Sequence, residues 1–284
     1  MENKVYPTIK DTLLLCLLFI GLQAVLELCL FLGSLLNIFY IHDGSILSGL
    51  VLTATSIISF GIVLIIGFKK TKRNFLDVFK FNKISPFLWF ATTVFMIGAV
   101  IMISEMDNLL NLILPMPDFL RDIFEQLMIE QTLIFAIIII VIIPTVAEEM
   151  MYRGVILDGL SRNYTNKKAI IISGFVFGFI HLNPWQFPTA FLFGMFFAWI
   201  CIKTNSILLP MYMHFFNNFL YLLAVRYRDI FAIRGFNTNF ETPGEFQPLW
   251  FNITGVILLA LGFFLIKKGL EKKRTTGVYY HKEA

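Results

Sequence analysis

Three groups of polar residues interrupt otherwise apolar stretches, and each contains a side chain able to move a proton. The first is Glu148-Glu149 with Arg153, within I-I-I-I-V-I-I-P-T-V-A-E-E-M-M-Y-R-G-V at residues 137–155. The second is F-G-F-I-H, in which Phe177 and His181 stand one helical turn apart. The third is P-M-Y-M-H-F-F-N-N, where His214 and Asn218 share the same four-residue spacing. A charged side chain well inside a bilayer costs roughly 2.5–3.5 kcal/mol by insertion scales, so such groups must be paired, protonated or used.

Taken singly, each group has a structural explanation. Glu149 and Arg153 are i,i+4 neighbours and can form an ion pair at the end of an apolar helix. A single buried histidine is more often a hydrogen-bonded core residue than a catalyst, and His214 with Asn218 can serve as interhelical polar glue. Glu148 is harder to place. It is rotated about 100° from Glu149 on an ideal helix, and its own span holds no partner for it. Three costly groups at similar depth are more simply explained as one convergent site than as three accidents. Pro144 and Pro210 each stand four residues before a member of the set. Each removes a backbone hydrogen bond and kinks its helix, which favours a water-filled cavity. Glu27, in the middle of the first span, reads as a polar contact to another helix, and Asn217 points to a different face from Asn218.

These residues must be carried by membrane helices. Of 284 residues, 57% are hydrophobic and 15% charged, against about 25% charged in soluble domains, and the mean hydropathy is +0.76. The pattern predicts an all-α, polytopic membrane helix bundle of about eight spans, near residues 11–40, 45–67, 85–104, 131–151, 169–183, 186–202, 206–225 and 249–266. A single membrane domain, 1–284, is expected. The first span is too long for a signal-peptide core and is expected to remain in the mature chain. In this arrangement nineteen of the 23 basic residues fall on one side, which places both termini in the cytoplasm. Between Glu105 and Glu130, the spacing of Phe119, Leu120, Ile123, Phe124 and Leu127 predicts a helix lying on the membrane surface. Cys16, Cys29 and Cys201 lie in apolar segments without C-x-x-C spacing, as small core residues do. No soluble basic face supports nucleic-acid binding.

The ordered set E-E-x-x-x-R (Glu148, Glu149, Arg153), F-x-x-x-H (Phe177, His181) and H-x-x-x-N (His214, Asn218) resembles the three-motif signature of the CAAX-protease and bacteriocin-processing (CPBP) family, also called ABI-type proteins. The resemblance covers about residues 130–225, the expected catalytic core. It implies an intramembrane endopeptidase in which Glu148 and His181 activate a water while His214 and Asn218 hold the oxyanion. Glu149, Arg153 and Phe177 would support them. The chemistry is reasonable on its own terms, since a glutamate can act as general base and preorganised donors can stabilise a tetrahedral intermediate.

Two histidines and a glutamate also form the ligand set of a hydrolytic zinc site. The H-E-x-x-H spacing is absent, so the expectation is a reaction without metal or other cofactor, with zinc as the rival. The expected partners are the lipid bilayer and a membrane-associated peptide or protein substrate. Short loops and lysine-rich connectors read as bacterial, which favours a plasma-membrane location and disfavours a prenylated substrate. Two alternatives remain: a non-catalytic bacteriocin-immunity or binding protein of the same family, and a transporter relaying protons through Glu27, Glu148 and the histidines.

Overall fold

A computed structural model describes residues 4–36, 46–129, 132–230, 232–236 and 244–275. Among these, every regular element is helical: α1 (Ile9–Leu35), α2 (Ile46–Thr71), α3 (Phe75–Phe79), α4 (Pro86–Ile113), α5 (Asp118–Ile129), α6 (Leu133–Asn163), α7 (Asn166–Phe179), α8 (Phe187–Thr204), α9 (Leu208–Arg226) and α10 (Leu249–Thr275). The helices begin where local chemistry satisfies their free N–H groups. Thr8 and Asp11 form a reciprocal capping box at α1. Ser85 caps α4 just before Pro86, a residue suited to the first helical position. Thr165 caps α7 through Lys168 N.

Seven of these helices are long and apolar enough to cross a membrane, and the protein is an integral membrane protein. They are α1, α2, α4, α6, α8, α9 and α10. The fifth expected span, α7, has only 14 residues, short of the usual crossing length. It nevertheless packs antiparallel along α8, because Gly174 and Gly178 bring its backbone against Phe187, Phe191 and Met195, with Gly194 seated on Gly174. Small residues allow membrane helices this close approach. The same device joins α4 to α10, where Gly98, Gly255 and Gly262 leave no room for a Cβ.

The third and fourth spans run well past their expected ends. The third span continues past residue 104 to Ile113, because Glu105 is satisfied by Asn108, Asn252 and the Gln247 backbone rather than by water. The connector before α5 is correspondingly short. The fourth span does not stop at the glutamates: α6 runs on to Asn163, so Glu148 and Glu149 lie near its middle. It is not a plain α-helix either. Two stretches, Ile137–Ile142 and Met150–Ile156, have the wider π hydrogen-bond pattern and flank the glutamate pair. The helix expected from Phe119 onward is present as α5.

The two larger apolar clusters pack the interior. One gathers Tyr152, Val155, Ile156 and Leu160 of α6 with Leu15, Val63, Phe79 and Phe177. The other joins α4, α8, α9 and α10 through Leu88, Met96, Phe193, Phe197 and Met213. Outward-facing leucines, isoleucines and phenylalanines of α1 and α10 stay exposed, as lipid-facing residues must. The N-terminal segment is fastened to the end of α6 by Asn163, whose side chain bonds both Val5 backbone groups. Asp158 of α6 receives Arg73, Lys80 at 2.7 Å and Arg162 at 3.1 Å, which holds the α2–α4 connector against α6. Glu27 reaches a second helix indirectly: Gln23 bonds it at 3.1 Å and Ser56 of α2 at 2.7 Å.

Candidate active site

The two adjacent glutamates have different surroundings. Glu149 is fully buried, and its Oε1 accepts a hydrogen bond from Arg153 Nη1 at 2.9 Å. The same oxygen lies 2.9 Å from His214 Nδ1, so the carboxylate ties α6 to α9. Arg153 is equally buried. Its Nη2 donates to the Gly194 carbonyl at 3.3 Å, and its guanidinium lies 4.4 Å from the Phe177 ring centre and 5.3 Å from that of Phe197. Aromatic faces on a cation compensate part of its lost hydration. Phe177 therefore serves as a wall of the Arg153 compartment.

Glu148 faces the other way. It lines a cavity of about 380 Å³ together with His181, His214, Asn217 and Asn218. Its Oε2 is buried without a hydrogen-bond partner and lies 4.0 Å from His214 Nε2. The Glu148 side chain as a whole stays 18% exposed, and a buried carboxylate oxygen without a donor calls for one from a water or a substrate.

The two rings differ in what they offer. His181 Nδ1 is 2.8 Å from the Phe177 carbonyl. A carbonyl only accepts, so this nitrogen carries the proton, and in the neutral ring Nε2 is left as an acceptor. His214 directs Nδ1 to the Glu149 carboxylate and Nε2 toward Glu148. Asn217 was expected to point away from the site. It instead lines the cavity, and its amide donates to Asn218 Oδ1 at 3.2 Å. The cavity is wide enough for neighbouring faces of α9 to share it.

The structure thus brings Glu148, Phe177, His181, His214 and Asn218 to one cavity, with Glu149 and Arg153 behind it. Sequence reasoning paired Glu149 with Arg153 alone and missed the bond from His214 to the same carboxylate. No spacing signal reveals that contact, because 65 residues separate the partners. It also missed Asp107 and Thr189, which line the far part of the cavity. The intramembrane carboxylate Asp107 was a signal in the sequence, but assigning it to a loop removed it from view.

Among the described residues, no three His, Cys, Asp or Glu side chains are grouped closely enough to hold a metal ion. Oε1 of Glu149 is shared by Arg153 and His214, while its Oε2 has no hydrogen-bond partner.

Residues 130–220 match the family model for Rce1-like proteins, described as type II CAAX prenyl endopeptidase Rce1-like. No curated protein and no solved structure matches the chain. The matched stretch contains Glu148, Glu149, Arg153, Phe177, His181, His214 and Asn218. The part of the cavity wall that carries Glu148, both histidines and Asn218 therefore lies in the stretch similar to CAAX-type membrane peptidases.

Proposed function

We propose that the protein is an intramembrane endopeptidase that hydrolyses a peptide bond of a membrane-associated protein or peptide. The observation that carries this reading is the unsatisfied Glu148 Oε2 at the cavity wall, beside two differently tethered histidines. Glu148 removes a proton from a water, and the water oxygen bonds to the scissile carbonyl carbon. His181 Nε2 accepts the second water hydrogen and so fixes the direction of attack. Negative charge forms on the former carbonyl oxygen. Asn218 can donate to it from its amide, and His214 can donate from Nε2 when the ring carries both protons. Collapse breaks the C–N bond, and Glu148 returns its proton to the departing amine.

Glu149, Arg153 and Phe177 support this set by fixing the His214 ring and the pitch of α6. The chemistry requires no metal or other cofactor, with zinc as the rival to be tested. The substrate lies within reach of the bilayer, and the apolar cavity walls suit an aliphatic or aromatic peptide. The basic connectors support cytoplasmic termini in a bacterial plasma membrane, with α7 counted as a crossing through its antiparallel hairpin with α8 so that the spans are even in number.

The test uses the full chain in lipid nanodiscs with membrane-partitioning peptides. Glu148→Gln is expected to lower cleavage by at least about 100-fold, the low end for loss of a positioned base, while the protein remains folded. Unchanged cleavage by that variant would remove Glu148 from the mechanism. Cells carrying alanine at Glu148, His181 and His214 test the immunity alternative, since protection that survives all three would indicate binding without turnover.

A further inference from the structure

The cavity that holds Glu148 has a second polar end. Asp107 of α4 lines it together with Thr189, at the start of α8, and Tyr221 of α9. The carboxylate receives only the Thr189 hydroxyl, at 3.3 Å. The Asn111 amide, one turn on, bonds the Asp107 backbone carbonyl and not its side chain. Glu105, two residues earlier, shows what a satisfied carboxylate looks like here, with donors from Asn108, Asn252 and the Gln247 backbone. No cationic side chain among the described residues pairs with Asp107. Arg121 also lines the cavity, but its guanidinium is paired with Asp118 on its own helix. A carboxylate held at a cavity wall inside the helix bundle without a counter-ion is costly unless it is protonated or something supplies the charge.

The position of Asp107 relative to Glu148 can be measured along α9. His214, Asn218 and Tyr221 follow one another down that helix and all line the cavity. Tyr221 lies within electrostatic reach of Asp107. Seven residues of helix separate His214 from Tyr221, a rise of about 10 Å. An extended peptide covers that distance in about three residues.

We propose that Asp107, with Thr189, is a substrate subsite for a cationic group, either a lysine or arginine side chain or a free amino terminus. This group sits about two to four residues from the bond that Glu148 attacks. The inference rests on the peptidase reading for its geometry, and it adds a specificity-determining residue to that site. The apolar walls take the body of the peptide, and Asp107 sets the register in which it lies.

The experiment presents the nanodisc protein with short Leu/Ala/Ile peptides, each carrying one lysine or the uncharged isostere norleucine, moved one position at a time. Product masses locate the cut. The parent is expected to favour lysine over norleucine by about 10-fold or more in kcat/KM when lysine lies two to four residues from the scissile bond, consistent with a charged hydrogen bond. Asp107→Asn is expected to bring that ratio close to one, and Asp107→Lys to shift the preference to glutamate peptides. A parent ratio near one, or a ratio retained in Asp107→Asn, overturns the proposal. Fluorescence anisotropy on Glu148→Gln with the same peptides separates the two readings. Lysine-selective binding that Asp107→Asn abolishes, with no cleavage by the parent, would sink the peptidase reading and leave the subsite standing. Equal binding of the lysine and norleucine peptides would sink the subsite whatever the cleavage result. Thr189→Val, expected to weaken the lysine preference without inverting it, serves as a second variant should Asp107→Lys not fold.

Discussion

His214 Nδ1 lies 2.9 Å from Glu149 Oε1, the oxygen that also accepts a hydrogen bond from Arg153. One carboxylate thus holds a ring from α9 and a guanidinium from its own helix, while its neighbour Glu148 faces the cavity. The two glutamates should therefore fail in different ways when replaced. Glu148→Gln is expected to abolish cleavage with little change in thermal midpoint. Glu149→Ala leaves Arg153 buried without its anion, a change that costs about 3–5 kcal/mol. A thermal scan of both variants in detergent checks this, and a lower midpoint for Glu148→Gln than for Glu149→Ala would contradict it.

Arg153 uses its planar fork: Nη1 bonds Glu149, Nη2 bonds Gly194, and both faces lie near aromatic rings. Lysine has the charge but neither the fork nor the flat faces. Arg153→Lys is expected to lower the thermal midpoint measurably and to reduce cleavage with it. Full retention of both would show that the charge alone suffices.

The α7–α8 hairpin depends on the contact between Gly174 and Gly194. A Cβ at Gly194 would meet the Gly174 backbone and the Phe177 ring. Gly194→Leu is expected to separate the helices and displace His181 and the carbonyl that Arg153 uses. Loss of folded protein on size-exclusion chromatography, or loss of cleavage in what remains folded, is the expected result. A fully active leucine variant would rule out the tight hairpin.

Asp158 gathers Arg73, Lys80 and Arg162. Asp158→Asn removes the anion that holds the α2–α4 connector, so residues 72–83 should become accessible to trypsin. Limited proteolysis of parent and variant, read by mass spectrometry, compares the two patterns directly. Identical patterns would mean that packing by Phe79 against α6 holds the segment without the ion pairs.

Zinc provides a further check on the chemistry. With no three His, Cys, Asp or Glu side chains grouped for a metal among the described residues, cleavage is expected to survive prolonged chelation, and elemental analysis of active protein should find no stoichiometric metal. Activity lost on chelation and restored by zinc would require a different mechanism.

Much of this was legible in the sequence because membrane burial makes polar residues conspicuous. Glu148, His181, His214 and Asn218 stood out against aliphatic surroundings, and the structure places all four at one cavity. The helical class was legible for the same reason. What was not legible depended on backbone or distant partners. Asp107 was assigned to a loop because Glu105 and Asp107 together suggest solvent, whereas Asn108, Asn252, the Gln247 backbone and Thr189 supply the donors inside the bundle. Asn217 was assigned to another face because an ideal helix separates adjacent side chains, yet the cavity is broad enough to take both. The π stretches leave no mark in a run of isoleucines, since side-chain pattern does not report which carbonyl an N–H chooses.

Those two wide turns also give the helix slack on either side of the glutamates. Each π stretch accommodates more chain per turn than the α ladder around it. Removing one residue between Ile137 and Ile142 would let the ladder close as ordinary α-helix with the flanking segments nearly in their present register, because the wide turn holds about one residue more than the α turn that replaces it. The α-helical stretch Ile143–Glu149 between the two has no such reserve, and a one-residue deletion there would rotate Glu148 by about 100° relative to the chain before it. The site is therefore specified by residue count in that short stretch as well as by composition, and is tolerant of a deletion in the isoleucine run that precedes it.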